Sequence, residues 1–357
     1  MSPGETVAEK DLFPVPLAVM QPGTAAPVDL YLLSQHPRRV TLYKKAGAPL
    51  REEIRERLMA NRVARLHLHK KDEKAYHEYV EQNIDAIIRD DLLPPQEASH
   101  LVYESSSRVM ADTFANPRSG RNVKRARTMV GATVRSVLKD PDALWHMTGI
   151  ASHDYYTYTH CVHVCVFLVA GARDLLGITD RAMLERIGLG GMLHDIGKSQ
   201  VPEEVLNKPG RLTPEEFEEV KKHPLAGVDI VREARRVPAE ALRVIRSHHE
   251  HFDGSGYPRG LAGEGIDIVS RLATIVDVYD ALTTKRAYAA ARSTYDALDL
   301  MLNQMAAQFE VPLLRRFVKF LGPRDMREEL RAQCAAAAGR PPVQAISTTV
   351  SAPTGGV

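Results

Sequence analysis

Cysteine and net charge are both scarce in this chain. Three cysteines among 357 residues, Cys161, Cys165 and Cys334, are too few for a disulfide framework. Two of them stand four apart in an apolar helical pattern, which predicts reduced thiols in the core of a cytoplasmic protein. Charge of one sign is missing as well. The 47 Lys plus Arg oppose 45 Asp plus Glu, and a formal charge of +2 excludes a nucleic-acid polymer as the main partner. No apolar run reaches the ~20 residues that cross a bilayer, since the longest, around Cys161 to Ala172, is broken by His163. No membrane span is predicted. The opening MSPGETVAEKD lacks the basic segment of a signal peptide. What is present is 44% apolar and 26% charged residues, which excludes disordered, collagen-like and coiled-coil classes.

The length predicts one large unit and a smaller one. Residues 1–26 are rich in proline, glycine and small side chains without periodicity, and predict an extended arm. Val28 to Leu33 and Arg39 to Tyr43 predict short strands, Leu50 to Ala60 an amphipathic helix, Val63 to Leu68 a strand, and Asp72 to Arg89 a helix. These make a small α/β module over 27–93. Pro94-Pro95 stops the pattern, because proline lacks an N–H and restricts the residue before it. Residues 94–334 then read as helical, so the fold class is mainly α. Thr213-Pro214-Glu215-Glu216 sets out an N-cap, an N1 proline and an N3 glutamate, a capping box. Ser293 with Asp296 is a weaker version. The basic run Arg121 to Arg127 reads as the solvated face of a helix. Residues 335–357, mostly Ala, Pro, Thr and Gly, predict a disordered tail.

Histidine carries the functional signal. The candidates His160, His194, His223 and His248, with Asp277, follow one another at roughly one helix plus a connection, a spacing that suits ligands converging inside a bundle. The pairs His194-Asp195 and His248-His249 stand out. Asp195 sits between Met192-Leu193 and Ile196-Gly197, where a helix should bury itself, and a buried carboxylate needs a partner such as a metal. A His and carboxylate set without cysteine favours iron or manganese over thiolate-bound zinc. His163 and His146 read instead as core histidines, and His36, His67, His69, His77 and His100 likewise.

His194-Asp195-Ile196-Gly197-Lys198, then His248-His249-Glu250 and Asp253-Gly254-Ser255-Gly256-Tyr257-Pro258, resemble the HD-GYP subgroup of the HD-domain phosphohydrolases. Asp154-Tyr155-Tyr156-Thr157-Tyr158-Thr159-His160 resembles that family's upstream histidine segment, and Lys221-Lys222-His223-Pro224-Leu225-Ala226-Gly227 its middle one. Ser270-Arg271-Leu272 through Asp277 and Asp280 to Arg286 and Tyr288 resembles its late aspartate segment. The motifs occur in order from Asp154 to Tyr288.

The resemblance implies an all-helical HD-type bundle, a metal centre, and hydrolysis of a cyclic dinucleotide, cyclic di-GMP, to pGpG and on to GMP by a hydroxide shared between ions. It implies that His160, His194, Asp195 and Asp277 hold one divalent ion, while Asp195 bridges to a second held by His223, His248 and His249. Members with a third ion carry glutamate four residues before the first histidine. Tyr156 stands there, which predicts two. Lys198 would contact the scissile phosphate, and Asp154 would orient a site residue or cap a helix. Tyr257, Arg286, Gly254 and Gly256 would face the substrate. Where family members often have proline and a basic residue after the arginine, this chain reads Ala287-Tyr288-Ala289. Cyclic GMP-AMP as substrate, and a receptor with negligible turnover, therefore stay open. Residues 27–93 loosely resemble small modules found ahead of HD-GYP domains, some related to cyclic-di-GMP-binding barrels. Homodimerisation and signalling-protein partners are also left open.

Overall fold

Period-two burial explains the small N-terminal sheet. In Arg65–His69 the side chains of Leu66 and Leu68 are fully buried while their neighbours turn outward. In this computed structural model, which describes residues 7–35, 38–149, 157–234, 237–284 and 291–338, that segment is β4 of an antiparallel sheet. Its other strands are β1 (Leu12–Pro16), β2 (Leu30–Gln35) and β3 (Arg38–Lys44), in the order β1-β4-β2-β3. Helices α1 (Glu52–Ala60) and α2 (Glu73–Ile87) complete the module. All but β1 fall on segments whose apolar pattern predicts them.

The extended arm expected over 1–26 is corrected by β1, which pairs along β4 with Phe13 opposite Leu68 and Val15 opposite Leu66. Pro14 and Pro16 conceal it, yet proline is tolerated here because β1 is an edge strand and its missing N–H breaks no ladder. Leu17 to Met20 follow it, all buried. The Tyr79 hydroxyl of α2 accepts from the Gln21 N–H at 2.8 Å and meets Thr24 Oγ1 at 2.6 Å, fastening this stretch to the module.

The remaining described elements are helical. They are α3 (Pro95–Ala115), α4 (Gly120–Lys139), α5 (Ala143–Thr148), α6 (Thr157–Leu176), α7 (Arg181–Leu193), α8 (Glu203–Leu206) and α9 (Pro214–Val220). They continue as α10 (His223–Glu233), α11 (Ala239–Ser247), α12 (Ile268–Thr283), α13 (Thr294–Asn303), α14 (Val311–Phe320) and α15 (Arg324–Ala338). The capping box at Thr213 forms as its spacing predicts, with Thr213 and Glu216 each bonding the other's backbone. Ser293 caps α13 in the same way, accepting from the Asp296 N–H. Helix α15 continues to Ala338, past residue 335 where a tail is expected to start; residues 339–357 lie outside those described.

Helix α6 is the centre of the bundle, against α3, α4, α7, α12, α14 and α15. Among the described residues it alone is long and apolar enough to cross a membrane, and 89% of that stretch is buried inside the protein. The basic run lies on α4, where Arg121, Lys124 and Arg127 are exposed as expected. Arg125 is not free: its Nε and Nη2 reach the two Glu81 oxygens at 2.6 and 2.7 Å, tying α4 to α2. At the far end of α6 the fully buried Asp174 accepts from Arg173 and, at 2.6 and 2.9 Å, from Arg331 of α15. Losing the carboxylate would leave two guanidinium groups partly buried without their partner. Asp174→Ala is therefore expected to cost about 3 kcal/mol, read as a lower thermal midpoint by circular dichroism; an unchanged midpoint would refute the clamp.

Candidate metal centre

Close helix packing delivers the site. Helix α7 lies so near α6 and α11 that a Cβ on Gly190 would stand 2.7 Å from Val244 Cβ, and one on Gly191 3.1 Å from Cys165 Cα. The α-helix ends at Leu193, and a 3-10 turn over Ile196–Gln200 follows. Gly197 in that turn rests directly on the start of α10: a Cβ there would fall 1.9 Å from the His223 carbonyl oxygen and 2.6 Å from Gly227 N. His194 and Asp195 thus leave α7 facing His223. His248 caps α11, His249 follows it, α6 supplies His160 and α12 supplies Asp277.

All seven residues expected as ligands come together, in two groups that meet at Asp195. Asp195 Oδ2 lies 3.3 Å from His194 Nε2 and 3.9 Å from His160 Nε2. Asp195 Oδ1 lies 3.3 Å from His223 Nε2 and 3.8 Å from His248 Nε2. Asp277 places Oδ1 at 2.9 Å from His160 Nε2 and 3.7 Å from His194 Nε2, and Oδ2 at 3.8 Å from His249 Nδ1. His160, His194, Asp195, His223 and His248 are essentially inaccessible, whereas the His249 side chain is 22% exposed.

The second nitrogen of each buried ring fixes which atom points inward. Nδ1–H donates to the Gly191 carbonyl from His194 at 2.8 Å, to that of Val220 from His223 at 2.7 Å, and to that of Ile245 from His248 at 2.9 Å. A carbonyl can only accept, so Nδ1 is the protonated nitrogen in the neutral form of each ring and Nε2 is the one left with a lone pair. Two of these Nε2 atoms, on His223 and His248, face each other at 3.2 Å. His194 Nε2 and Asp195 Oδ1 have no hydrogen-bond partner among the described residues. Facing lone pairs and orphaned acceptors are unfavourable alone and become ligands around a cation, since atoms ~2.1 Å from one ion lie roughly 3 Å or more apart. The donor set fits divalent metal.

Electrostatics keep His248, His249 and Asp195 in binding form. Burial lowers His249 to about 3 and carries His248 well below the ordinary histidine range, so both rings are neutral. Burial would raise Asp195, but the Lys198 ammonium overcomes it and holds the carboxyl well below its usual range. Lys198 Nζ donates to Asp195 Oδ2 at 2.6 Å and stays 22% exposed, at the edge of the cluster.

The Tyr257 ring stacks on His249 with centroids 4.7 Å apart, and Phe217 of α9 meets its edge at 6.3 Å. Gly254 and Gly256, expected to let the backbone approach a ligand, are also required by the loop's own geometry. A Cβ on Gly256 would fall 2.2 Å from His251 N and 2.4 Å from His249 O, so it packs on the protein's own turn. Gly254 has φ +83° and turns the loop. Asp154, Tyr156, Arg286 and Ala287-Tyr288-Ala289 lie outside the described residues. A cleft of about 820 Å³ borders the cluster at Gly197 and His223.

Glu250 is a residue that motif reading quotes without a role. Its buried carboxylate accepts the Arg259 N–H at 3.0 Å and the Leu261 N–H at 2.8 Å, pinning the loop that carries Tyr257. Glu250→Ala would orphan both donors. The expected cost is about 3 kcal/mol, with Tyr257 displaced; a wild-type melting curve would show that the pin carries no weight. Only the adjacency of Glu250 to the histidine pair could have pointed to it.

The family profile described as HD domain matches residues 169–311. A Pseudomonas aeruginosa protein named cyclic di-GMP phosphodiesterase is 37% identical over 224 residues, 62% of this chain and 53% of that one. A Vibrio cholerae protein named 3'3'-cGAMP-specific phosphodiesterase 2 is 39% identical over 123 residues, 34% of this chain and 24% of that one. The chain thus spans about half, or less, of these relatives' own length. Among solved structures, an HDG"Y"P protein from Bdellovibrio bacteriovorus superposes with a TM-score of 0.58 at 21% identity, covering 85% of this chain and 97% of that one. Residues 169–311 thus carry an HD domain, in a chain whose fold is similar to that of an HDG"Y"P protein.

Proposed function

We propose that this chain is a metal-dependent phosphodiesterase that opens cyclic di-GMP to linear pGpG in the cytoplasm. The observation that carries it is the division of the cluster at Asp195, one carboxylate oxygen toward His160 and His194 and the other toward His223 and His248. The first ion would take His160, His194, Asp195 and Asp277; the second would take Asp195, His223, His248 and His249. Iron or manganese suits these nitrogen and oxygen donors. Bound as a pair, such ions supply an activated water and neutralise charge on a phosphodiester. Lys198, held by Asp195 and still reachable from solvent, is placed to hydrogen-bond a phosphate oxygen of the substrate.

Tyr257 offers a partly exposed ring face for a nucleobase, with Phe217 beside it. Tyr257→Ala is expected to raise KM about tenfold while metal content stays at the wild-type level, and unchanged kinetics would remove this residue from the substrate side. The likeness to a relative named for cyclic GMP-AMP favours that dinucleotide as the second reading, because the metal ligands do not read the base.

Anaerobic purification with metal analysis, followed by turnover of cyclic di-GMP beside cyclic GMP-AMP with added Fe(II) or Mn(II), tests the reading. About two ions per chain and formation of pGpG are expected. Tight dinucleotide binding without product under every metal condition would make the protein a receptor instead.

A further inference from the structure

Beside the cluster, two helices present a second pair of polar side chains one turn along from the first. Helix α6 carries His160 and His163, and α12 carries Asp277 and Asp280, each pair three residues apart and so on one helix face. The Asp280 carboxylate lies between the two imidazoles. Its Oδ2 is 2.6 Å from His160 Nδ1 and its Oδ1 is 2.9 Å from His163 Nδ1. Asp280 is 2% exposed and His163 6%. The His163 ring also lies against that of Tyr103, with centroids 5.6 Å apart and planes at 25°. His163 is the core histidine that its apolar helix face suggests, and its Nδ1 donates to the outer oxygen of a buried carboxylate.

We propose that Asp280 and His163 are positioning residues for the first ion, an inference that rests on the metal reading above. Asp280 accepts the Nδ1–H of His160, which fixes the ring plane and turns its Nε2 toward Asp277 and Asp195; His163 holds Asp280 in place. The arrangement is one-sided. His223 and His248, on the other side of Asp195, are oriented by backbone carbonyls that no side-chain substitution removes. Loss of the relay should therefore weaken one ion and spare the other.

Metal-stripped full-length protein titrated with Mn(II), followed by equilibrium dialysis and electron paramagnetic resonance, tests this without recourse to turnover. Wild type should take up two ions and show a spin-coupled signal. In His163→Leu and Asp280→Asn the first ion should bind roughly 10- to 100-fold more weakly, leaving one ion and an uncoupled signal. His163→Asn, which keeps an N–H where Nδ1 stands, should restore the second ion. Leucine and asparagine variants that bind alike at position 163 would mark a packing role and overturn the proposal. So would wild-type titration of both His163→Leu and Asp280→Asn, or equal loss of both ions. Wild type that takes up no Mn(II) or Fe(II) would overturn the metal reading itself. Far-UV circular dichroism checks each fold, and Asp280→Asn carries the test if His163→Leu does not fold.

Discussion

Asp195→Ala should abolish metal loading and turnover together, a loss of at least roughly 1,000-fold in rate, while the chain stays helical. The size of the effect follows from position. Asp277 also borders both groups, but Asp195 alone brings an oxygen within 3.3 Å of a histidine Nε2 on each side. It is fully buried at the junction of the two groups. Lys198, which loses its partner, is partly exposed and can turn to solvent, which limits the damage to the fold. Metal analysis and a turnover assay on the same preparation decide the matter. A fully metallated, active variant would refute the assignment.

Gly197→Ala should be nearly as severe, for a reason that has nothing to do with charge. The new methyl would meet the His223 carbonyl oxygen at 1.9 Å, the His223 carbonyl carbon at 2.8 Å and Gly227 N at 2.6 Å, all of them backbone atoms that cannot swing aside. Helix α10 must retreat, and it carries His223 at its first position. A forced backbone shift of this kind costs about 3 kcal/mol or more, which is roughly 6 °C or more in thermal midpoint. Preferential loss of the second ion should accompany it. Gly265→Ala is the control, since none of the described residues stands within 4 Å of a Cβ at that position. If the two variants melt alike, the contact between the turn and α10 does not constrain the site.

Legibility in the sequence tracked the distance over which each cause acts. The capping box at Thr213, the strands β2, β3 and β4, and the adjacency of His194 to Asp195 are settled by neighbours a few residues away, and all could be read. Strand β1 could not, because its partner β4 lies more than fifty residues on and its two prolines erase the alternation that would have announced it. Asp280 and His163 were hidden for the same reason: the bond from Asp280 to His160 spans 120 residues of chain. At Gly256 the turn itself requires glycine, and a glycine that admits a ligand and one that admits the protein's own backbone look the same in sequence until the turn is seen.

The ligand cluster draws on five separate stretches of chain, from α6 to α12, with His160 and Asp277 117 residues apart. No such set exists in an unfolded chain. Once held, the ions bind only the native state, and free metal becomes a variable of folding equilibrium: each tenfold rise above the dissociation constant adds about 1.4 kcal/mol per ion. Heat resistance of this protein would then report the metal supply around it.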